Sequence, residues 1–138
     1  MNSYTFDEMQ LGCNASFVAS ITEETMAHFL ALSGDESPIH ISAAYAAGRG
    51  YPGRVVYGMA VASLFSTLAG VYLPGENCLL HSVNSSFTKP VFIGDTLTIY
   101  GEVTDRQEIF KQVTIKAKIT NQHGKTVCRG EIKAGVAI

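Results

Sequence analysis

Apolar residues recur in two different periods along the chain, and each period marks out its own kind of element. From Thr22 to Ser33, the positions Met26, Phe29, Leu30 and Ser33 fall on one face of a helix. Thr22 is a suitable N-cap, Glu23 and Glu24 suit the positive N-terminus, and Gly34 supplies the stop. A shorter, Ala-rich helical pattern runs from His40 to Ala47. Next comes Val55 to Tyr72, a run with no charge between Arg54 and Glu76, closed by Pro74-Gly75. Its length approaches that of a membrane span, yet Gly, Ser and Thr recur through it and no basic cluster flanks it. A helix apolar all round has to be buried on nearly every side, and a sheet wrapped around it achieves that.

The C-terminal half changes to the strand period. Asn77 to Val91, Thr96 to Arg106, Glu108 to Asn121 and Lys125 to Val136 are rich in β-branched residues. They alternate in places, as in Leu97, Ile99, Gly101, Val103 and Val113, Ile115, Ala117, Ile119. Ile93-Gly94-Asp95, Asp105-Arg106-Gln107 and Asn121 to Lys125 read as the turns between them. Gly12 to Ser20 adds an N-terminal strand. A strand, helices, one long central buried helix and then a four-strand meander predict an α+β fold in a single domain spanning residues 1–138.

Composition narrows the function classes. A net charge of −2 offers no basic footprint for nucleic acid. Cys13, Cys78 and Cys128 are odd in number and widely spaced, without a Cys-x-x-Cys, so free thiols in a reducing compartment are the expectation rather than disulfides or a zinc site. The N-terminal residues carry neither a basic region nor an apolar signal core. A cytoplasmic protein without membrane insertion is expected.

The candidate chemistry lies between the first two helical patterns. Asp35 leaves one helix end as His40 enters the next, with Pro38 stiffening the turn and pushing Ser37 toward an extended backbone. A carboxylate and an imidazole converging there suit general acid–base work. The same residues also fit a plain Asx-turn and a structural histidine. Gly58 opens the long apolar run, where free N–H groups at a positive helix end could stabilise charge on a carbonyl oxygen. Close helix–sheet packing explains that glycine equally well.

Together these residues bear a family likeness. Phe29 to His40, with Gly34-Asp35 and Ser37-Pro38-Ile39-His40 and with Ala46 following, resembles the signature of the MaoC-like, R-specific enoyl-CoA hydratases (hydratase 2 type). Tyr57-Gly58-Met59-Ala60-Val61-Ala62-Ser63 is similar to that family's His-Gly-Met-x-x-Ala-Ser element. Phe87 to Asp95 is similar to its Phe-x-x-Pro-Val-x-x-Gly-Asp segment. The resemblance runs from Phe6 to the C-terminus and implies a hot-dog fold, a curled antiparallel sheet around a central helix. It implies that Asp35 and His40 hold a water, Asp35 as base when that water attacks C3 of a trans-2-enoyl thioester. His40 would orient the water and share in proton transfer to C2. The Gly58 N–H would bind the thioester oxygen, and the Ser66 hydroxyl would support the site's hydrogen bonds. No metal or cofactor is implied, and a homodimer is.

Two positions depart from the family pattern: Ser37 stands where the family has Asn, and Tyr57 where it has His. With Ser63 and Phe65 they complete the supporting set, Phe65, Leu68 and Val71 reading either as an acyl pocket or as core. Lys89 and Arg54 are candidate contacts for a CoA phosphate, while His28, His81, His123 and Asp95 read as structural or solvated. Three functions remain: an enoyl-CoA hydratase, an acyl-carrier-protein dehydratase with the same chemistry, and a non-catalytic acyl-thioester-binding protein.

Overall fold

The computed structural model describes residues 1–138. Strand β1 (Asn14–Ser20) leads into helix α1 (Glu23–Ser33). Thr22 caps α1, exchanging hydrogen bonds with Thr25, and Gly34 ends it in the left-handed region at φ 69°. Two short helices follow, α2 (Pro38–Ile41) and α3 (Ala43–Gly48), where one was expected. Ser42 divides them because its backbone turns extended and its hydroxyl accepts from the Tyr45 N–H, which starts a new helix.

The long apolar run is central, as expected, but it is neither one unbroken helix nor buried all round. Helices α4 (Gly58–Ala62) and α5 (Leu64–Thr67) and a π turn (Leu68–Tyr72) succeed one another. Val55 and Val56 stay outside because their backbone groups bond elsewhere: the Val55 N–H donates to Ile39 and the Val56 N–H to Val91. At Ser63 the hydroxyl donates to the Ala60 carbonyl at 2.6 Å, a back-bond that loosens the turn. Met59, Ser63 and Ser66 form an exposed stripe along one flank.

Strands β2 (Cys78–Phe87), β3 (Thr96–Gln107), β4 (Gln112–Thr120) and β5 (Thr126–Val136) join β1 in one antiparallel sheet of order β1-β3-β4-β5-β2. The expected four-strand meander is therefore a three-strand one, β3-β4-β5. Pro90, which has no N–H for a ladder, follows the end of β2, and the chain crosses to begin β3 at the other side of the sheet. The β3–β4 turn also falls later than Asp105–Gln107, since Gln107 still pairs with Gln112 and Lys111 takes φ 47°. Ile109 and Phe110, which read as strand residues, are exposed at that tip.

The alternation in β3, β4 and β5 drives Leu97, Ile99, Val103, Val113, Ile115, Ile119 and Ile132 into one core with Val61, Phe65 and Leu68. Two glycines let the helices lie close on the sheet. A Cβ on Gly101 would come within 2.7 Å of Leu68, and one on Gly130 within 2.5 Å of Phe65. Phe65 is thereby a core residue with no exposed surface. No helix is long and apolar enough to cross a membrane.

Candidate active site

The bend between α1 and α2 holds Asp35 at the protein surface and aims His40 inward. The Asp35 carboxylate accepts from the Ser37 N–H at 3.0 Å through Oδ1, an Asx turn that leaves Oδ2 free. Oδ2 lies 3.9 Å from His40 Nε2. That gap is too long for a direct hydrogen bond, and it suits one water at about 2.8 Å from both atoms. The Asp35 side chain is 46% exposed and that of His40 15%.

A second contact fixes the imidazole. Its Nδ1 is 2.6 Å from the Val55 carbonyl, which can only accept, so Nδ1 carries a hydrogen and the Nε2 edge of the ring faces Asp35. The Val55 carbonyl is itself held in place by the bonds of Val55 and Val56 to Ile39 and Val91. A water between the two side chains would hydrogen-bond both Oδ2 and Nε2 and keep a lone pair for an electrophile.

Tyr57 packs behind this pair. Its ring centroid is 4.2 Å from that of His40 and 4.8 Å from that of Phe29, and its hydroxyl donates to the Asp35 carbonyl at 3.1 Å. Burial, followed by the nearby Asp35 charge, raises the Tyr57 pKa above the usual phenol value, with Arg54 opposing. Arg54 is paired with Glu23, so it is not a free cation.

A cavity of about 430 Å³ opens beside the imidazole, lined by His40, Gly58, Val55, Val61, Phe87 and Lys89 among others. Gly58 is the first residue of α4, so its N–H precedes the first intrahelical bond and is free for a ligand. A Cβ on Gly58 would meet the Phe87 ring at 3.4 Å, an ordinary contact, so packing alone does not demand glycine there. Lys89 has no acidic partner within salt-bridge distance.

Asp35, Ser37, His40, Tyr57 and Gly58 thus come together, and the other expected members do not. Ser63 lines a separate cavity with His28 and Phe29, and Ser66 another with Gly70 and Cys78. His81 bonds Gln112, Asp95 bonds the Phe92 N–H and Gln122, and His123 is exposed. Sequence reading had no role for the Val55 carbonyl, for Phe29 behind Tyr57 or for Phe87 across from Gly58. An apolar residue's backbone acceptor leaves no trace in composition or spacing. Phe29 and Phe87 did each open a family-like segment, which was the signal available for them.

Residues 11–124 match the family model described as a MaoC like domain. The chain is 36% identical over 123 residues, 89% of its length and 92% of the relative's, to an (R)-specific enoyl-CoA hydratase of Aeromonas caviae. It is 33% identical over 126 residues, 91% of this chain and 87% of the other, to the (R)-specific enoyl-CoA hydratase of Rhodospirillum rubrum. An R-hydratase structure from Pseudomonas aeruginosa, in the unliganded form, superposes with a TM-score of 0.89 at 32% identity, covering 96% of this chain and 84% of that one.

Proposed function

The chain belongs to the MaoC-like domain family, and we propose from that premise that it is a hydro-lyase which adds water to trans-2-enoyl-CoA or removes it from (3R)-hydroxyacyl-CoA. The observation that carries the site assignment is the 3.9 Å separation of Asp35 Oδ2 and His40 Nε2 beside the Gly58-lined cavity.

In the hydration direction the thioester carbonyl accepts from the Gly58 N–H, and C3 lies over the water held by Asp35 and His40. The water oxygen attacks C3 as Asp35 takes one of its protons. The electron pair of the double bond moves into an enolate, whose oxygen the Gly58 N–H stabilises. One proton then reaches C2 with His40 sharing in the transfer, so the pair ends in its starting state. The α-proton of a thioester is weakly acidic, which makes the enolate contact the largest single term, about 3–4 kcal/mol for one donor. The general base adds on the order of 10²–10⁴-fold. Neither step requires a metal or a redox group.

Ser37 supports the site through its backbone, since its N–H orients the carboxylate while its hydroxyl makes no hydrogen bond. On this reading serine serves where the family has asparagine, because the contact needs only the backbone. Lys89, exposed at the cavity, suits a phosphate of the thioester's carrier, a group common to CoA and to a carrier protein's phosphopantetheine.

A homodimer completes the reading. Edge strand β2 leaves one side of its ladder unpaired and exposes Leu79, Leu80, Val83 and Phe87. Pairing of two copies there would satisfy the strand and cover the apolar row. A monomer by light scattering at micromolar concentration would contradict it. The three unpaired thiols support a reducing compartment, and we assign the cytoplasm.

The test is hydration of crotonyl-CoA, followed by loss of the conjugated enoyl absorbance. Asp35→Asn and His40→Ala should each cut the rate by orders of magnitude while the fold survives, because both side chains are partly exposed and neither is core. Near-parental rates in both would end the assignment. Release of free thiol with the enoyl chromophore intact would point instead to thioester hydrolysis.

A further inference from the structure

The Asp35 carboxylate hangs from an exposed bend, Gly34 to Ser37, whose hydrogen bonds are local with one exception. The Gly34 N–H donates to Leu30, the Asp35 N–H to the Ser33 hydroxyl, the Ser37 N–H to Asp35 itself and the His40 N–H to Ser37. The exception is the Tyr57 hydroxyl, which reaches the Asp35 carbonyl from 22 residues away. The same side chain lays its ring against the His40 imidazole, tilted by 31°, and is braced from behind by Phe29. Only 2% of Tyr57 is exposed, so its position is set by the core rather than by the bend. Tyr57 is the residue from outside the bend that touches both members of the pair, and it is one of the two that depart from the family pattern.

We infer that Tyr57 is the positioning residue of this site, its hydroxyl holding the Asp35 bend in register with the imidazole that its ring supports. The inference rests on the roles given above to Asp35 and His40. Without the hydroxyl, the bend keeps only bonds to its own neighbours, and no contact from outside it holds the Asp35 backbone against the imidazole. A displacement of about 1 Å at such a pair costs on the order of 10²-fold in rate. Because burial holds the phenol in its protonated form, the donor persists across the neutral range.

Tyr57→Phe removes the hydroxyl and retains the ring. With crotonyl-CoA its kcat should fall by about 10- to 100-fold. KM should stay within about two-fold, because Tyr57 is outside the cavity lining, and the melting temperature should stay near the parental value. The second arm is a double-mutant cycle. If Tyr57 acts through Asp35, Tyr57→Phe combined with Asp35→Asn should be no slower than Asp35→Asn alone. A Tyr57→Phe enzyme with parental kcat overturns the inference, as does a loss that multiplies in full onto that of Asp35→Asn. An Asp35→Asn variant that is itself fully active overturns the base assignment and the inference with it. An inactive Asp35→Asn beside a full-rate Tyr57→Phe overturns the inference alone.

Discussion

Replacing Gly58 by proline would delete one N–H and leave the backbone that carries it almost unchanged. Gly58 is the first residue of α4, the position where proline is best accepted, since the N–H lost there has no intrahelical partner. The residue before a proline must avoid the helical region, and Tyr57 already does, at φ −53° and ψ 124°. The new ring adds a Cβ at 3.4 Å from Phe87, which is ordinary contact. Restricting the unfolded chain favours the folded state by roughly 0.4–1 kcal/mol, so the proline variant should melt at or slightly above the parental temperature. Activity should behave differently. Loss of one donor to a developing enolate is worth about 3–4 kcal/mol, or about 10²–10³ in kcat. The ring also narrows the cavity, and Gly58→Ala, which adds the same Cβ and keeps the N–H, controls for the Cβ part of that narrowing. With crotonyl-CoA, kcat of the alanine variant should exceed that of the proline variant by at least about 10²-fold. A folded proline enzyme within a few-fold of the alanine enzyme would refute the oxyanion role and leave Gly58 as a spacer.

Other perturbations test the fold and the substrate. Gly130→Ala pushes a methyl to within 2.5 Å of the Phe65 ring in a close-packed core, and should cost about 1–3 kcal/mol in a urea melt; an unchanged midpoint would mean the helix is free to move off the sheet. Burial pushes the Cys128 thiol up to about 11 from its ordinary value of 9.0. The folded state therefore holds a proton that the unfolded chain releases first. That part of the stability is intact below pH 9 and is lost as pH rises from about 9 to 11, and Cys128→Ala should flatten the decline. Lys89→Ala should raise KM for an enoyl-CoA by about 3- to 5-fold, the size of an exposed charge contact, and leave the matching phosphate-free pantetheine thioester unaffected. An equal change with both substrates would make Lys89 a steric element of the cavity.

Legibility of the fold followed how local each determinant was. Helix α1, with its Thr22 cap and Gly34 stop, and the inward phase of β3 and β4 could be read because neighbours in sequence set them. The place of β2 could not, since its alternation is equally compatible with β3 or β5 as partner, and only the crossing after Pro90 decides. Burial of the central run was overread for a related reason. Apolar composition gives the face toward the sheet, whereas the Met59, Ser63 and Ser66 flank depends on what lies beyond the single chain. The later β3–β4 turn misled because Ile109 and Phe110 have strand chemistry and yet stand exposed at its tip.

At the candidate site, the residues proposed to carry chemistry could be picked out from sequence, and the contacts that aim them could not. Asp35, His40 and Gly58 stand out because a carboxylate, an imidazole and a helix-opening glycine are scarce in those contexts. What turns them into one apparatus is a set of contacts between distant segments: Val55 to His40, Tyr57 to Asp35 and Ser37 to Asp35. Two of these use backbone atoms of residues whose side chains make no contact with the pair, so they do not depend on which side chain stands there. At position 37 the amide, not the side chain, holds the carboxylate. At position 57 the tyrosine hydroxyl reaches a carbonyl that any residue at position 35 would offer. A substitution beside a reactive group is therefore best judged by which backbone atoms it leaves aligned. On that criterion both departures preserve the 3.9 Å geometry on which the proposed addition of water depends.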